Sequence, residues 1–127
     1  MSVHPPFDPG TVEAMAKVLG EAGSGTDISR YLQMNGWVDD SGESTKWRRL
    51  NLVFLKSQAM TKSANQILTF VKSYLIPTRF VGKRDEFEHH RSELNAVLIL
   101  HGLEYGKDGQ FRYTTQARTL DEAEARA

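Results

Sequence analysis

The apolar residues of this chain change their spacing once, near Gly102, and this change constrains the fold more than any other feature of the sequence. Before Gly102 they recur every three or four positions, which is typical of helices that bury one face. From Leu103 to Tyr113 they alternate around the turn Gly106-Lys107-Asp108-Gly109, which is typical of a two-stranded hairpin. The sequence therefore predicts a mostly α-helical domain of five or six helices with one C-terminal β-hairpin.

The predicted hairpin is too short to be stable by itself in water. We therefore expect it to pack against the helices through one or more of its apolar side chains, Leu103, Tyr105, Phe111 or Tyr113. A winged helix likewise ends in a small hairpin with a basic residue at its tip. The predicted order of elements in this chain is therefore winged-helix-like.

Residues that cap helices mark where the first two helices begin. Asp8, which is followed by a proline, provides an N-cap. Ser24 and Asp27 form a capping box, in which each side chain accepts a hydrogen bond from the backbone amide of the other residue. Gly36 ends the second helix, and we interpret Trp37 after it as a core or cap contact rather than a base-stacking residue.

Similar signals predict three more helices. In the first of them Trp47, Leu50 and Phe54 share one face, so we expect these side chains in the core. Lys46 and Arg49 lie on other faces and are expected to be exposed. The predicted helices run from Ser44 or Thr45 to about Met60, from a capping box of Ser63 and Gln66 to Pro77, and from about Arg84 to His101.

Length and composition exclude several classes of protein. With 127 residues, of which 39% are hydrophobic, the chain has the size of one domain with a modest core. It contains no cysteine, which excludes disulfides and thiolate chemistry and agrees with a reducing cytoplasm. No apolar run approaches the roughly 18 to 20 residues that span a bilayer, so no membrane partner is expected.

The charges of this formally neutral chain are segregated along the sequence. Between Thr45 and Arg91 there are ten lysines and arginines but only three acidic residues, a net charge of +7. The first 44 residues hold two basic residues and seven acidic ones. A segment of this charge attracts polyanions, so the sequence favours a surface that contacts phosphates.

The densest part of this basic segment is the start of the third predicted helix, where Lys46, Arg48 and Arg49 flank Trp47. Cations near a helix N-terminus oppose the helix dipole, so local stability does not explain them. An external anion would explain them, and it could also use the free amides of that turn. Alternatively, the cations lie over Trp47, contact a protein partner, or pair with acidic residues. The acidic residues considered for this pairing are Asp39, Asp40 and Glu43.

No catalytic site, metal site or cofactor is predicted. Arg84 and His89 have the Arg-x4-His spacing that resembles the ribonuclease motif of HEPN domains, but so short a motif often arises by chance. Glu86 and His90 lie four residues apart and could supply two metal ligands, but no third ligand follows at a matching spacing. We interpret this region as a solvated helix face. Its residues are Glu86, Glu88, His89 and His90.

The C-terminal residues predict one more helix, which begins at a third capping box, Thr119 to Glu122. We interpret it as the start of a linker helix to a C-terminal domain. The expected domain organisation is then an N-terminal extension with the first helix at 1–23, a helical domain with its hairpin at 24–118, and the linker helix at 119–127.

Several short segments of the sequence carry a resemblance to a known family. They are Ile28–Leu32, Ser44–Leu50, Phe70–Lys72, Pro77–Val81, Phe87 with Arg91–Asn95, Gly102–Leu103 and Thr119–Ala123. From about Ser24 to its C-terminus the chain resembles an AbiJ-type N-terminal domain of bacterial abortive-infection proteins. The resemblance implies a sensor or regulatory domain in front of an effector, commonly a HEPN-like ribonuclease.

Together these patterns predict the regulatory domain of a phage-defence protein, which contacts DNA or RNA through a basic surface. A second hypothesis is a protein-interaction or homodimerisation module that controls a fused effector domain through apolar and aromatic surface. A third is a transcriptional regulator with a helix-turn-helix in its second and third helices. The residues expected to contact nucleic acid are Lys46, Arg48, Arg49, Arg79, Lys83 and Arg84.

Overall fold

In a computed structural model of the chain, which describes residues 3–114, the predicted fold class is confirmed. Five α-helices precede one antiparallel hairpin of two strands within these residues. The chain forms two compact units, the first ending at Ile76 and the second beginning at Pro77. The helices are α1 (Pro9–Gly20), α2 (Gly25–Met34), α3 (Lys46–Thr61), α4 (Asn65–Tyr74) and α5 (Arg84–Leu98), and the strands are β1 (Leu103–Tyr105) and β2 (Phe111–Tyr113).

The first two helices begin where their capping residues were predicted to place them. The Asp8 carboxylate accepts a hydrogen bond from the amide of Thr11 at 3.1 Å and so caps α1. Ser24 and Asp27 form the capping box of α2, with both hydrogen bonds 3.0 Å long. Gly36 follows α2 with a φ of +76°, a left-handed conformation that glycine adopts without strain. These boundaries therefore follow from the local sequence.

The predicted capping box of the fourth helix does not form. α4 begins at Asn65, whose amide donates to Ser63 Oγ at 2.9 Å. The Gln66 side chain was expected to reach back to Ser63, but its Oε1 accepts from Trp37 Nε1 and from Ser57 Oγ. Partners that are distant in the sequence have replaced the local cap.

The core of the first unit contains a group of packed aromatic rings. Phe70 of α4 stacks on Trp37 and on Tyr74, with ring centroids 5.6 and 5.2 Å apart. Phe54 of α3 makes T-shaped contacts with both Phe70 and Trp37. Offset and T-shaped ring pairs stabilise a core beyond the area that they bury. Trp37 is half-buried, packs on these core rings, and donates its amide to the Leu32 carbonyl at the end of α2. Its interpretation as a core or cap contact is therefore confirmed.

The N-terminal residues belong to the same unit as α3. α1 packs along α3 and buries Val12, Met15 and Leu19. Ahead of α1, the amide of Phe7 donates to Gln58 Oε1 at 2.8 Å, and Gln58 Nε2 donates to the Phe7 carbonyl at 2.9 Å. This part of the chain lies outside the family resemblance, yet it contributes to the core of the first unit.

Gly23, in the turn between α1 and α2, lies against the hydroxyl group of Tyr74. This hydroxyl donates to the carbonyl oxygen of Leu19 at 2.9 Å, and the Tyr74 side chain is fully buried. A Cβ atom at residue 23 would lie 2.5 Å from the hydroxyl oxygen. Gly23 is therefore needed because no larger residue fits, and not because of its backbone conformation.

We expect Gly23→Ala to lower the free energy of unfolding by about 1 to 3 kcal/mol, the usual cost of an extra methyl group in a packed core. Gly25→Ala is the matched control, because a Cβ atom there would make an ordinary contact, 3.6 Å from Arg49 Nη1. Urea unfolding followed by circular dichroism compares the two variants. Equal stabilities would show that the Tyr74 hydroxyl moves aside without cost.

In the second unit, β1 packs against α5. Gly102, with a φ of +69°, ends the helical segment at the predicted residue. Leu103 and Tyr105 are buried, so the expectation that the hairpin packs on a helix is confirmed. The amide of Tyr105 donates to Asn95 Oδ1 at 2.7 Å, and its carbonyl accepts from Asn95 Nδ2 at 3.0 Å. Burial, with the charge of Asp108, raises the pKa of the Tyr105 hydroxyl to about 12.

Within residues 3–114 no helix has both the length and the apolar composition that a membrane span requires. The helix predicted to begin at Thr119 lies outside the described residues, and so does the predicted boundary at residue 118. The described part of the second unit ends just after β2, at Thr114, whose amide donates to the Gly102 carbonyl.

Candidate nucleic-acid interface

The predicted nucleic-acid contacts form two groups, one in each unit of the chain. The first group lies in the first turn of α3 and consists of Lys46, Arg48 and Arg49. The second group lies between the beginning of the second unit and the start of α5, and consists of Arg79, Lys83 and Arg84. Each group therefore has to be considered as a surface of its own.

Arg49 is not part of an exposed surface, which corrects the prediction. Its side chain is 13% exposed, and its Nε donates to Asp39 Oδ2 at 2.6 Å. Nη1 donates to the Gly25 carbonyl at 3.2 Å and Nη2 to Ser29 Oγ at 2.7 Å. Arg49 thus joins the start of α2 to the loop that precedes α3. For this residue, the alternative interpretation of an ion pair with Asp39 is confirmed.

The surroundings of Asp39 favour its charged form. Burial by itself would raise the pKa of this carboxyl group, but hydrogen bonds from Ser41 and Arg49, with the charge of Arg49, hold it below the usual value of 3.8. Ser41 contributes its amide at 3.2 Å and its hydroxyl at 2.7 Å. The Asp39–Arg49 ion pair is therefore fully formed in the folded protein at neutral pH.

Trp47 is half-buried, at the margin of the core where Leu50 is fully buried, so its predicted place in the core is corrected. Arg48 is exposed, and its guanidinium carbon lies 5.4 Å from the centre of the indole ring, within the range of a cation–π contact. For Arg48, the alternative interpretation of a cation lying over Trp47 is therefore confirmed. Lys46 was expected to be exposed but is half-buried, with its ammonium donating to the Gly23 carbonyl at 3.1 Å.

One cation at this surface was not among the predicted residues. Lys17 of α1 places its ammonium 4.8 Å from the centre of the Trp47 ring. It also lies 3.6 Å from the carboxylate of Glu13, with 55% of its own side chain exposed. Lys17 is outside the basic segment and comes close to Trp47 because α1 packs along α3. No local pattern could have indicated this contact. We call Lys17, Lys46, Trp47 and Arg48 the Trp47 surface.

The backbone amide of Trp47, in the first turn of α3, is covered by α1. Thr45 precedes α3 but does not cap it with its side chain. Gly20 of α1 lies against the Trp47 backbone, and a Cβ atom on Gly20 would come within 3.2 Å of the Trp47 nitrogen. This amide is therefore not open to an anion, in contrast to what the sequence suggested. The surface offers side-chain charge beside an aromatic ring.

One member of the second group, Arg84, lies at an open cleft of about 310 Å³ in the second unit. Arg84 lines this cleft from the start of α5, and Lys107 lines it from the tip of the hairpin. Both side chains are exposed, as is Lys83. The guanidinium carbon of Arg79 lies 4.6 Å from the centre of the Phe80 ring. Lys107 was not among the predicted contacts, although its place in the turn was predicted.

One carboxylate, that of Glu88, shares the cleft with these cations. It is bound by Arg91 Nη2 at 2.9 Å. The hydrogen bond from Arg91 lowers the pKa of Glu88, burial opposes this effect, and the charges of Arg91, Lys107 and Arg84 assist it. Arg91 therefore compensates most of the negative charge in the cleft. Among the described residues, Arg84 and Lys107 take part in no ion pair.

The helix face that was interpreted as solvated is only partly so. Glu86 and His89 are exposed, but His90 is 8% exposed and its ring centroid lies 6.0 Å from that of Phe80. The interpretation is therefore corrected for His90, which belongs to the packed side of α5. In residues 3–114, no three His, Asp or Glu side chains are grouped closely enough to hold a metal ion.

Comparison of the chain with protein-family models, with curated proteins and with solved structures found no match. The resemblance to an AbiJ-type domain therefore stays a prediction. The two groups of cations are the features of the described residues on which a function can be proposed.

Proposed function

We propose that this chain is a regulatory domain that binds nucleic acid through phosphate contacts at the Trp47 surface. The observation that carries the proposal is the placement of Lys17 and Arg48, from two different helices, against one half-buried indole, with Lys46 next to it in the sequence. Proteins that bind single-stranded nucleic acid combine cations along the phosphate backbone with aromatic rings on which bases stack. The Trp47 surface has both components.

Helix stability does not account for these cations. Positive charges in the first turn of α3 oppose the helix dipole, at a cost of about 0.3 kcal/mol or more each. Arg49 offsets this cost through its ion pair with Asp39 and its two further hydrogen bonds. Arg48 instead holds an exposed guanidinium beside Trp47. The cation–π contact stabilises the fold by about 0.5 to 1 kcal/mol, and the exposed guanidinium can also reach an external anion.

The cleft of the second unit supplies a second set of phosphate contacts in this proposal. Arg84 and Lys107 line it from two different elements. Lys83 directly precedes α5, and Arg79 lies in the 3₁₀ turn Pro77–Phe80. Arg79 is half-buried, and neither Arg79 nor Lys83 lines the cleft itself. Exposed cations at a concave surface, here Arg84 and Lys107, raise the local concentration of a polyanion.

The regulatory part of the proposal rests on the resemblance to AbiJ-type domains of abortive-infection proteins. We infer a cytoplasmic phage-defence protein in which nucleic-acid binding by this domain controls a fused C-terminal effector. The domain itself is proposed to have no catalytic step. In this scheme, a nuclease activity would belong to the effector.

The helix-turn-helix hypothesis gains no support from the connection between α2 and α3. In that motif the two helices are joined by a turn of about three or four residues. Here residues 35–45 separate them, and Trp37 and Asp39 in this connection bind Phe70 and Arg49. The start of α3, which should enter the major groove, lies instead against α1.

We expect the chain to bind labelled nucleic acid with a micromolar dissociation constant at low salt. The logarithm of the affinity should fall against the logarithm of the salt concentration with a slope of about −0.7 to −0.9 per phosphate contacted. Lys17→Glu combined with Arg48→Glu should weaken binding at low salt by about tenfold or more, because both cations face the same site. Fluorescence anisotropy with single- and double-stranded DNA and RNA measures these effects.

The matched control combines Arg30→Glu with Lys72→Glu, on α2 and α4, where both side chains are exposed. It changes the net charge by the same amount. An equal loss of affinity in the two double variants would show that the Trp47 surface has no special role. If the unaltered chain bound none of the four nucleic acids at low salt, the proposal would be rejected in favour of the interaction module. Arg49 is left unchanged in this test because its replacement disturbs the fold.

A further inference from the structure

An apolar groove runs along α3 in the first unit. It consists of two neighbouring clefts, of about 330 and 290 Å³, which share Val38, Val53 and Lys56 in their walls. Met60 lines the larger cleft and Leu52 the smaller one. Because the clefts share these three residues, they form one continuous surface.

This groove exposes large apolar side chains to solvent. Leu52, Lys56 and Met60 follow one another at intervals of four residues, so they form one row along α3. Val38 and Met60 are each 73% exposed, and Leu52 is 43% exposed. Neighbouring apolar side chains with this exposure are typical of a surface that binds another protein.

The groove also carries one charge of each sign. Lys56 Nζ lies 3.5 Å from Asp40 Oδ2, with 58% and 67% of the two side chains exposed. An ion pair this exposed contributes at most about 1 kcal/mol to stability. Each of the two groups can therefore exchange its partner for an opposite charge on another molecule.

We propose that a second copy of this chain covers the groove in a two-fold symmetric dimer. A two-fold axis that passes beside the ion pair places Lys56 of each protomer next to Asp40 of its partner. The same rotation brings the apolar side chains of the two grooves together and removes them from water. A groove with only one sign of charge would select a partner of the opposite charge. A groove that carries both signs within 3.5 Å is complementary to itself.

The dimer adds to the proposed function without depending on it. The groove lies along the length of α3, whereas the Trp47 surface lies at its start. A dimer would carry two Trp47 surfaces, so a nucleic acid that reaches both would bind more tightly than one that reaches a single surface.

Sedimentation equilibrium of the 127-residue chain is expected to show a reversible equilibrium between monomer and dimer. Met60→Glu should raise the dissociation constant by about tenfold or more, because it places an unpaired charge in the apolar interface. Met34→Glu is the matched control, since Met34 is 66% exposed but does not line the groove. Thermal unfolding followed by circular dichroism verifies that both variants are folded.

A charge exchange distinguishes contacts between protomers from the contact within one protomer. Lys56→Glu brings two acids together and Asp40→Lys brings two bases together, so each variant alone should dimerise weakly. In a mixture of the two variants, the introduced glutamate faces the introduced lysine across the axis, and the native Asp40 faces the native Lys56. We expect the mixture to dimerise like the unaltered chain, although the pair within each protomer stays repulsive.

Three results would overturn the proposal. The unaltered chain could remain monomeric at all concentrations, which would leave the groove to a different protein. Met34→Glu and Met60→Glu could weaken the dimer equally, which would place the interface elsewhere. The mixed variants could fail to recover the dimer, which would show that Lys56 and Asp40 do not pair across a two-fold axis.

Discussion

Phe70→Ala is expected to lower the free energy of unfolding by about 3 to 5 kcal/mol, the cost typical of removing a buried aromatic ring. Phe70 is fully buried, stacks on Trp37 and Tyr74, and makes a T-shaped contact with Phe54. The variant loses all three ring contacts and leaves a cavity that the packed neighbours can fill only in part. Urea unfolding followed by tryptophan fluorescence measures the loss, because both tryptophans, Trp37 and Trp47, lie in the first unit.

Tyr113→Ala is the control for this prediction, because it also removes an aromatic side chain but from a position that is 68% exposed. Its free energy of unfolding should change by less than about 0.5 kcal/mol. If Phe70→Ala were no more destabilising than Tyr113→Ala, the stacked rings would not hold the first unit together.

Arg49→Ala is expected to destabilise the protein by about 3 kcal/mol, because it leaves the carboxylate of Asp39 mostly buried without its partner. The Arg49 and Asp39 side chains are 13% and 18% exposed. The variant also loses the hydrogen bonds to the Gly25 carbonyl and to Ser29 Oγ. Arg48→Ala changes the exposed neighbour in the same helical turn and should cost less than about 0.5 kcal/mol. Equal costs for the two variants would contradict the structural role given to Arg49.

The ion pair between Asp39 and Arg49 also makes stability depend on pH. The pKa of Asp39 is lowered in the folded protein. The contribution of this carboxylate to the free energy of unfolding is therefore fully present above the ordinary pKa of 3.8, and it is lost as the pH falls through the lower pKa of the folded state. Arg49→Ala removes one cause of the lowered pKa. The stability difference between the variant and the unaltered chain should therefore shrink between neutral pH and about pH 3. Urea unfolding at both pH values measures it, and a constant difference would contradict this expectation.

Most of the helix boundaries could be predicted because they are decided by residues close together in the sequence. Ser24 and Asp27 bind each other's backbone amides, and Gly102 takes up the left-handed conformation that ends a helix. The local signal failed where a distant partner competed with it. Gln66 binds Trp37 and Ser57 in place of the predicted cap, and no local pattern contains that information.

The candidate site could be predicted only in part, for the same reason. Charge density indicated the start of α3, but the exposure of each cation depends on packing between elements. Arg49 is turned inward by Asp39, which lies ten residues earlier. Lys17 comes close to Trp47 only because α1 packs along α3. Helical periodicity assigns a residue to a face of its helix, but it does not indicate which neighbouring element covers that face.

Asn95 closes the outer edge of the hairpin. Hydrogen bonds from Gly106 to Gln110 and from Thr114 to Gly102 join the two strands, and the amide and carbonyl of Tyr105 point to the other side. Both groups are bound by the Asn95 side chain, whose amide presents a donor and an acceptor as a peptide group does. Unpaired strand edges recruit strands from other molecules and promote aggregation. Here a helix side chain occupies the position of a third strand, so this small sheet ends at β1 and offers no template at Tyr105 for growth.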